Sequence, residues 1–242
     1  MGLLGLSSVI GVTVTYVPTN RLYFERAVID AFRILIPSYT ATVLGVAGIM
    51  ALILLHRTYG VWRMLAATPA LAFLTAVIAI ALTVGLKWAI MGRFRPVIVP
   101  LWSRYVWLNE MINGVYESVM APIVAFFLGT PVASMLLRLL GCKIGRHCFI
   151  NTSLFSEFDL VRLGNGVSLN FGAIIQNHLF EDRIMKSSYL DIEDDCSVGN
   201  MSVVLYDSVM QKGAVLGSLS LLMKAEVMPA RARWHGIPTV QG

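Results

Sequence analysis

The sequence predicts a membrane α-helical hairpin followed by a parallel β-helix of six-residue repeats. Three observations predict it. From Ile192 onward every sixth residue is aliphatic or Met: Ile192, Val198, Val204, Met210, Leu216, Leu222 and Met228. Two uncharged stretches, Ile34 to Leu55 and Leu65 to Leu86, are each long enough to span a bilayer. The composition is 57% hydrophobic and 14% charged, with a mean hydropathy of +0.72, which is too apolar for an ordinary soluble domain.

The N-terminal segment, residues 1–33, has two parts. Residues 1–17 are apolar and rich in Gly, Ser and Thr, without the basic start of a signal peptide. A third helix, an interfacial segment and the remnant of a longer parent chain remain open for them. Asn20 to Arg33 sets Arg21, Arg26 and Arg33 among Leu22, Phe24, Val28, Ile29 and Phe32, the pattern of a helix lying on a lipid surface.

Residues 34–95 are the hairpin. Ser38, Thr40, Thr42, Gly45 and Gly48 suit close helix contact, and His56, Arg57 and Arg63 are expected in the connecting loop. Arg21, Arg26 and Arg33 on one end, and Lys87, Arg93, Arg95 and Arg104 on the other, outnumber the loop's cations. The positive-inside rule then places both ends and the β-helix in the cytoplasm, making this a multi-pass protein of the cytoplasmic membrane.

Up to Leu140 the chain has ten basic and four acidic residues, and beyond it nine basic and ten acidic. The basic excess therefore belongs to the membrane half and points to anionic lipid as partner, not to nucleic acid. Residues 96–140 carry Trp102, Tyr105, Trp107 and Tyr116, the aromatic content of helices in the membrane interface, with a break expected near Pro122. Gly129-Thr130-Pro131 is a breaker, and a short helix from Val132 to Leu140 is expected to end at Gly141.

Residues 141–242 are the β-helix. Helices repeat at 3.6 residues and strands at 2, so a sustained period of six belongs to neither. It marks a solenoid in which ~18 residues close one triangular coil and inward residues stack on their equivalents above and below. The phase extends upstream through Ile144, Ile150, Leu163, Leu169 and Ile175, with two breaks. The step from Ile150 to Leu163 is thirteen, and that from Ile175 to Ile192 is seventeen. The second break holds Gln176 to Arg183, expected as a loop outside the ladder, where solenoids often bind ligands. Gly145, Gly164 and Gly199 each follow a ladder residue, which suits a corner of positive φ. Three cysteines without a C-x-x-C pair argue against a disulfide framework and against zinc; Cys142 and Cys148, six apart, are expected at equivalent corners.

His178 is the leading catalytic candidate, because an imidazole that titrates near neutrality can take a proton from an attacking amine. Glu157 and Asp159 interrupt an uncharged run. Asp159 is the expected partner that orients the ring, and either acid is alternatively a holder of a cationic acceptor. Asn177, Glu181, Asp182 and Trp234 are candidate substrate-binding residues, with Asn177 a possible donor to an oxyanion. The histidines show no metal-ligand spacing, so no metal site is expected.

Three stretches carry a family resemblance: Leu139 to Arg146, Glu157 to Val161 with Gln176 to Arg183, and Leu219 to Pro229 closing on Trp234 to Pro238. Together they resemble the membrane-embedded C-terminal condensing domain of epsilon-poly-lysine synthetase and related poly-amino-acid, non-ribosomal peptide synthetases. Hexapeptide-repeat acyltransferases share that fold more distantly. The resemblance covers about Leu86 to Pro238, and Ala225 stands where the family pattern has Gly. It implies a left-handed β-helix and amide-bond formation between an aminoacyl thioester and an amine. It implies no tightly bound cofactor, the donor being carried on the phosphopantetheine of a carrier protein. The implied partners are carrier and adenylation domains, in the same parent chain or separate, and a homotrimer or pseudo-trimer with related domains. Acetyl transfer from coenzyme A and a non-catalytic membrane scaffold are the alternatives.

Overall fold

A computed structural model describes residues 19–241, so the expectations for residues 1–17 lie outside the described residues. Helix α1 runs Asn20–Tyr59 and α2 runs Val61–Ile90. Both are long and apolar enough to cross a membrane by length and composition.

Two expectations for this region are corrected. The surface helix and the first span are one uninterrupted helix of 40 residues, which at 1.5 Å per residue is about 60 Å long. That is about twice the thickness of a bilayer's hydrocarbon core, so its first turns are free to dock on protein. They do so through charge. Arg104 forms a forked pair with Glu25, at 2.8 and 2.7 Å, and Arg26 and Arg33 meet Glu110 at 3.0 and 2.9 Å. Nor is there a connecting loop. His56 and Arg57 end α1, Arg63 lies in α2, and Gly60 at φ 79° makes the turn. Gly45 and Gly48 have open space beside them; rather than a tight contact they help line a groove of about 450 Å³ between the two helices.

Strand Val97–Pro100 leads to α3, Arg104–Val115, capped by the Ser103 hydroxyl. Pro122 does not break the helix. It has no N–H to give, and the chain absorbs the mismatch in one wide π turn, Tyr116–Met120, before α4, Ala121–Ala125. The expected aromatic belt is also corrected. Trp107 and Tyr116 are buried, Trp107 stacking edge-on with Trp102 at 6.0 Å and Tyr116 with Phe158 at 4.9 Å. Helix α5 starts at Pro131, runs to Leu140 and ends on Gly141 at φ 117°, as the breaker and the Gly predict. Its face of Ala133, Leu136, Leu137 and Leu140 packs on the start of the solenoid.

The solenoid follows the predicted ladder. On one face the stacked strands place Ile144, Leu163, Ile192, Met210 and Met228 in register. The second face stacks Ile150, Leu169, Val198, Leu216 and Trp234, and the third stacks Ile175, Val204 and Leu222. Every aliphatic or Met member is at most 9% exposed. The last coil is closed by an antiparallel turn that pairs Trp234 with Gln241.

The glycines after ladder residues serve closeness of approach, not positive φ. A Cβ on Gly145 would lie 2.4 Å from the Gly164 carbonyl oxygen, and one on Gly199 would lie 2.4 Å from the Ser218 nitrogen. Left-handed corners are taken instead by residues such as Asp195, Met201 and Ala225, the last at φ 62°. A Gly in the family pattern at position 225 is thereby explained.

The two breaks become two structures. The first is a 3-10 turn, Phe158–Leu160, entered through Glu157 in the left-handed region at φ 37°. The second is not a loop but a β-hairpin, His178–Glu181 with Ile184–Ser187, turning on Asp182 and Arg183 at φ 51° and 61°. Val97–Pro100 adds to it as a third, antiparallel strand. The helical half is joined to the first break by Lys87. Fully buried on α2, it reaches Asp159 at 2.6 Å, and Asp159 also accepts from the Phe94 backbone N–H at 3.0 Å. Lys87, at the second end of the hairpin, is thus committed to a largely buried pair across 72 residues.

Two outcomes test this packing. Val198→Asp puts a carboxylate between Leu169 and Leu216 with no counter-charge, and is expected to destabilise by roughly 3 kcal/mol or more in thermal unfolding. Lys87→Met strands Asp159 and is expected to cost about 3–5 kcal/mol, part of which returns when Asp159→Asn is added; no recovery in the double variant would show that the pair is not what holds the two halves.

Candidate functional site

The chemistry gathers around Glu157. Its side chain is wholly buried, and each carboxylate oxygen is satisfied from a different element. Oε1 accepts from Asn109 Nδ2 at 2.7 Å and from Asn113 Nδ2 at 3.4 Å. The two asparagines are one turn apart on α3 and so share a face. Oε2 lies 2.8 Å from His178 Nδ1.

His178 is the first residue of the hairpin, set where the chain leaves the coil. Its ring rests edge-on against Phe180 at 5.1 Å, and its side chain keeps 18% exposure. Burial opposes charge on both partners. For Glu157 the hydrogen bonds from His178 and Asn109 outweigh burial and hold the carboxyl below its ordinary range. For His178 burial likewise works against the cation, but the Glu157 hydrogen bond and charge outweigh it and raise the imidazole above its ordinary 6.5. An ionised carboxylate only accepts hydrogen bonds, so Nδ1 carries the proton and Nε2 of the neutral ring holds the lone pair.

The ring lines a cavity of about 500 Å³ between the helical half and the solenoid, whose other walls include Tyr116, Glu117, Ala121, Ser153, Phe155 and Gln176. Tyr116 donates its hydroxyl proton to the Ser153 carbonyl at 2.7 Å, and burial keeps the phenol protonated. Glu117 is presented by the wide π turn. The arrangement is a base with an oriented ring beside an enclosure of ligand size.

Of the sequence candidates, Glu157 and His178 are brought together and the others are not. Asp159 was the expected orienting partner of the ring; two residues further round the turn, it is committed to Lys87. Asn177 is no oxyanion donor, being buried with its amide on the Ser188 carbonyl at 3.3 Å, where it closes the base of the hairpin. Glu181 is held by Lys186 at 3.1 Å and by Lys224, and the Lys224 hydrogen bond is the first cause of its lowered pKa. Asp182 shapes the hairpin turn, and Trp234 continues a ladder on the last coil, on a different face from the strand that leads into His178. Sequence reasoning missed Asn109, Asn113 and Glu117. The asparagines had one signal, two amides spaced by four on a helix, which places them on one face.

No family model matches the chain. Among curated proteins it is similar to delta-poly-L-ornithine synthetase of Acinetobacter baumannii, with 35% identity over 227 residues and 93% of this chain covered. The chain spans 17% of that protein's length. Among solved structures, it is similar to a hexapeptide-repeat acetyltransferase of Vibrio cholerae complexed with acetyl coenzyme A, at 14% identity, with 50% of this chain and 82% of that one covered and a TM-score of 0.38. A soybean serine acetyltransferase complexed with serine matches at 14% identity over 82% of this chain and 69% of that one, with a TM-score of 0.34. Structural likeness at this level says nothing about chemistry.

Proposed function

We propose that this chain is a membrane-anchored acyl- or aminoacyltransferase that forms amide bonds from a thioester donor and an amine acceptor, as a unit of poly-amino-acid synthesis. The observation that carries the reading is the His178–Glu157 pair at 2.8 Å on the wall of a ligand-sized cavity. Similarity along 93% of the chain to part of a poly-L-ornithine synthetase supports amino acids as the units joined.

In the proposed reaction the amine nitrogen attacks the thioester carbonyl carbon while His178 Nε2 removes the nitrogen's proton. The tetrahedral intermediate collapses, the C–S bond breaks, and the imidazolium returns the proton to the leaving thiolate. Glu157 fixes the tautomer and stabilises the imidazolium between the two transfers. The donor is proposed to be an aminoacyl group on carrier-bound phosphopantetheine, supplied by carrier and adenylation domains, with the β-helix left-handed and the assembly a trimer or pseudo-trimer.

His178→Ala is expected to lower the transfer rate by about 10² to 10⁴ without unfolding the solenoid, because the hairpin stands outside the ladder. The assay uses an aminoacyl thioester on a carrier protein, an amine acceptor and the reconstituted chain. A wild-type rate at saturating donor would exclude the general-base role. The active form is the neutral ring, so the wild-type rate rises with pH through the His178 titration, whose acid limb is expected above pH 6.5. Glu157→Gln removes the larger contributions that raise that value and leaves burial with the smaller effect of the Glu110 charge, so its limb moves to lower pH while the rate falls; an unmoved limb would assign the titration to another group.

Both ends of the hairpin are proposed to face the cytoplasm. A single Cys at Tyr59, in a background without Cys142, Cys148 and Cys196, is then labelled in intact cells by an impermeant thiol reagent, and a single Cys in the solenoid is not. The opposite labelling pattern would reverse the orientation.

A further inference from the structure

A second cavity, of about 810 Å³, lies at the C-terminal end of α2 and shares no lining residue with the His178 cavity. Arg93 and Arg95 reach it from the loop after α2, Arg138 from α5, and Lys143 from the first strand of the solenoid. All four are exposed, and none has an ion-pair partner among the described residues. Arg138 is fixed in place by donating to the Ile144 and Gly145 carbonyls at 3.0 and 2.6 Å. Trp88 and Tyr189 supply aromatic wall.

Beyond Lys143 lies a neighbouring cleft that it lines with Asp191, Glu193 and Asp194, together with Arg162 and Lys212. Asp159 lines the basic cavity itself, but Lys87 neutralises it at 2.6 Å. Trp88 and Gly141, at the C-terminal ends of α2 and α5, line the cavity, and each helix end contributes about half a negative charge. With Lys143 assigned to the neighbouring cleft, the three arginines still exceed the helix ends by about two charges. A solvated basic face needs no enclosure, whereas this one is concave and of the size that takes a small ligand. Three guanidinium groups and one ammonium, drawn from three separate elements, form an array suited to the oxygens of a phosphate.

We propose that this cavity binds a phosphate-bearing group, either the headgroup of an anionic phospholipid or a soluble organic phosphate. The inference stands apart from the role of His178, since no residue is shared.

The test uses the full chain in neutral detergent and isothermal titration with dioctanoyl-phosphatidylglycerol, 4′-phosphopantetheine, inorganic phosphate and, as a phosphate-free lipid, dioctanoylglycerol. At least one phosphate probe is expected to saturate while dioctanoylglycerol does not. Arg93→Gln/Arg95→Gln/Lys143→Gln is expected to weaken it about tenfold or more with unchanged circular dichroism, and Arg231→Gln/Arg233→Gln, on the last coil of the solenoid, to leave it intact. Saturation by the phospholipid alone assigns a headgroup, and saturation by phosphopantetheine or phosphate assigns a soluble ligand; either supports the site. Binding by none of the phosphate probes, equal binding by the cavity variant, or an equal loss in the off-site variant overturns it.

Discussion

A carboxylate taken wholly out of water must be met by donors or a counter-charge, and the parts of this molecule that meet Glu157 come from three places. Asn109 and Asn113 come from α3, His178 from the inserted hairpin, and Glu157 itself from the irregular turn of an early coil. Two residues on, Asp159 draws Lys87 from α2 and the Phe94 N–H from the following loop. One turn, off the sixfold register, thus ties both halves of the chain together. Removing a partner from Glu157 leaves a charge where water does not reach, and removing Lys87 leaves the largely buried Asp159 without its counter-charge, so the joint tolerates little slack.

The solenoid supplies rigidity for that joint. Its ladder is a column of aliphatic side chains in which each coil rests on the next, and Gly145, Gly164 and Gly199 let the coils approach where no Cβ fits. Such a column has no means of bending toward the helices. The two departures from period six do that work: one bends the chain into Glu157, and the other sends a hairpin out to take Val97–Pro100 as a third strand. The hairpin is pinned again at Glu181 by Lys224 of a later coil. His178 is therefore held by strand pairing, by Phe180 and by Glu157, and its ring is fixed from three directions.

The cavity beside His178 and the basic cavity beyond α2 share no lining residue: His178, the partner of Glu157, lines the first and Asp159 lines the second. The two carboxylates have different companions. Glu157 faces an imidazole, and its charge sets the tautomer and the basicity of that ring. Asp159 faces the fully buried ammonium of Lys87, so its charge bears on structure.

The sequence by itself determined what local period and local backbone chemistry control. The ladder positions, their register, both interruptions, the breaker before α5 and the Gly141 stop were all legible, because stacking and capping act on neighbours or on fixed repeats. His178 and Glu157 were legible as polar residues at breaks in an apolar rhythm, and the fold brings them together. Which carboxylate meets the ring was not: Glu157 and Asp159 are two residues apart, and only the left-handed backbone at Glu157 and the 3-10 turn after it send them to different partners. Nor were Asn109 and Lys87, which reach across 48 and 72 residues from helices that composition alone assigned to the membrane or its surface. No periodicity encodes contacts of that span; they exist because buried charges must be satisfied by whatever the packed fold brings within reach.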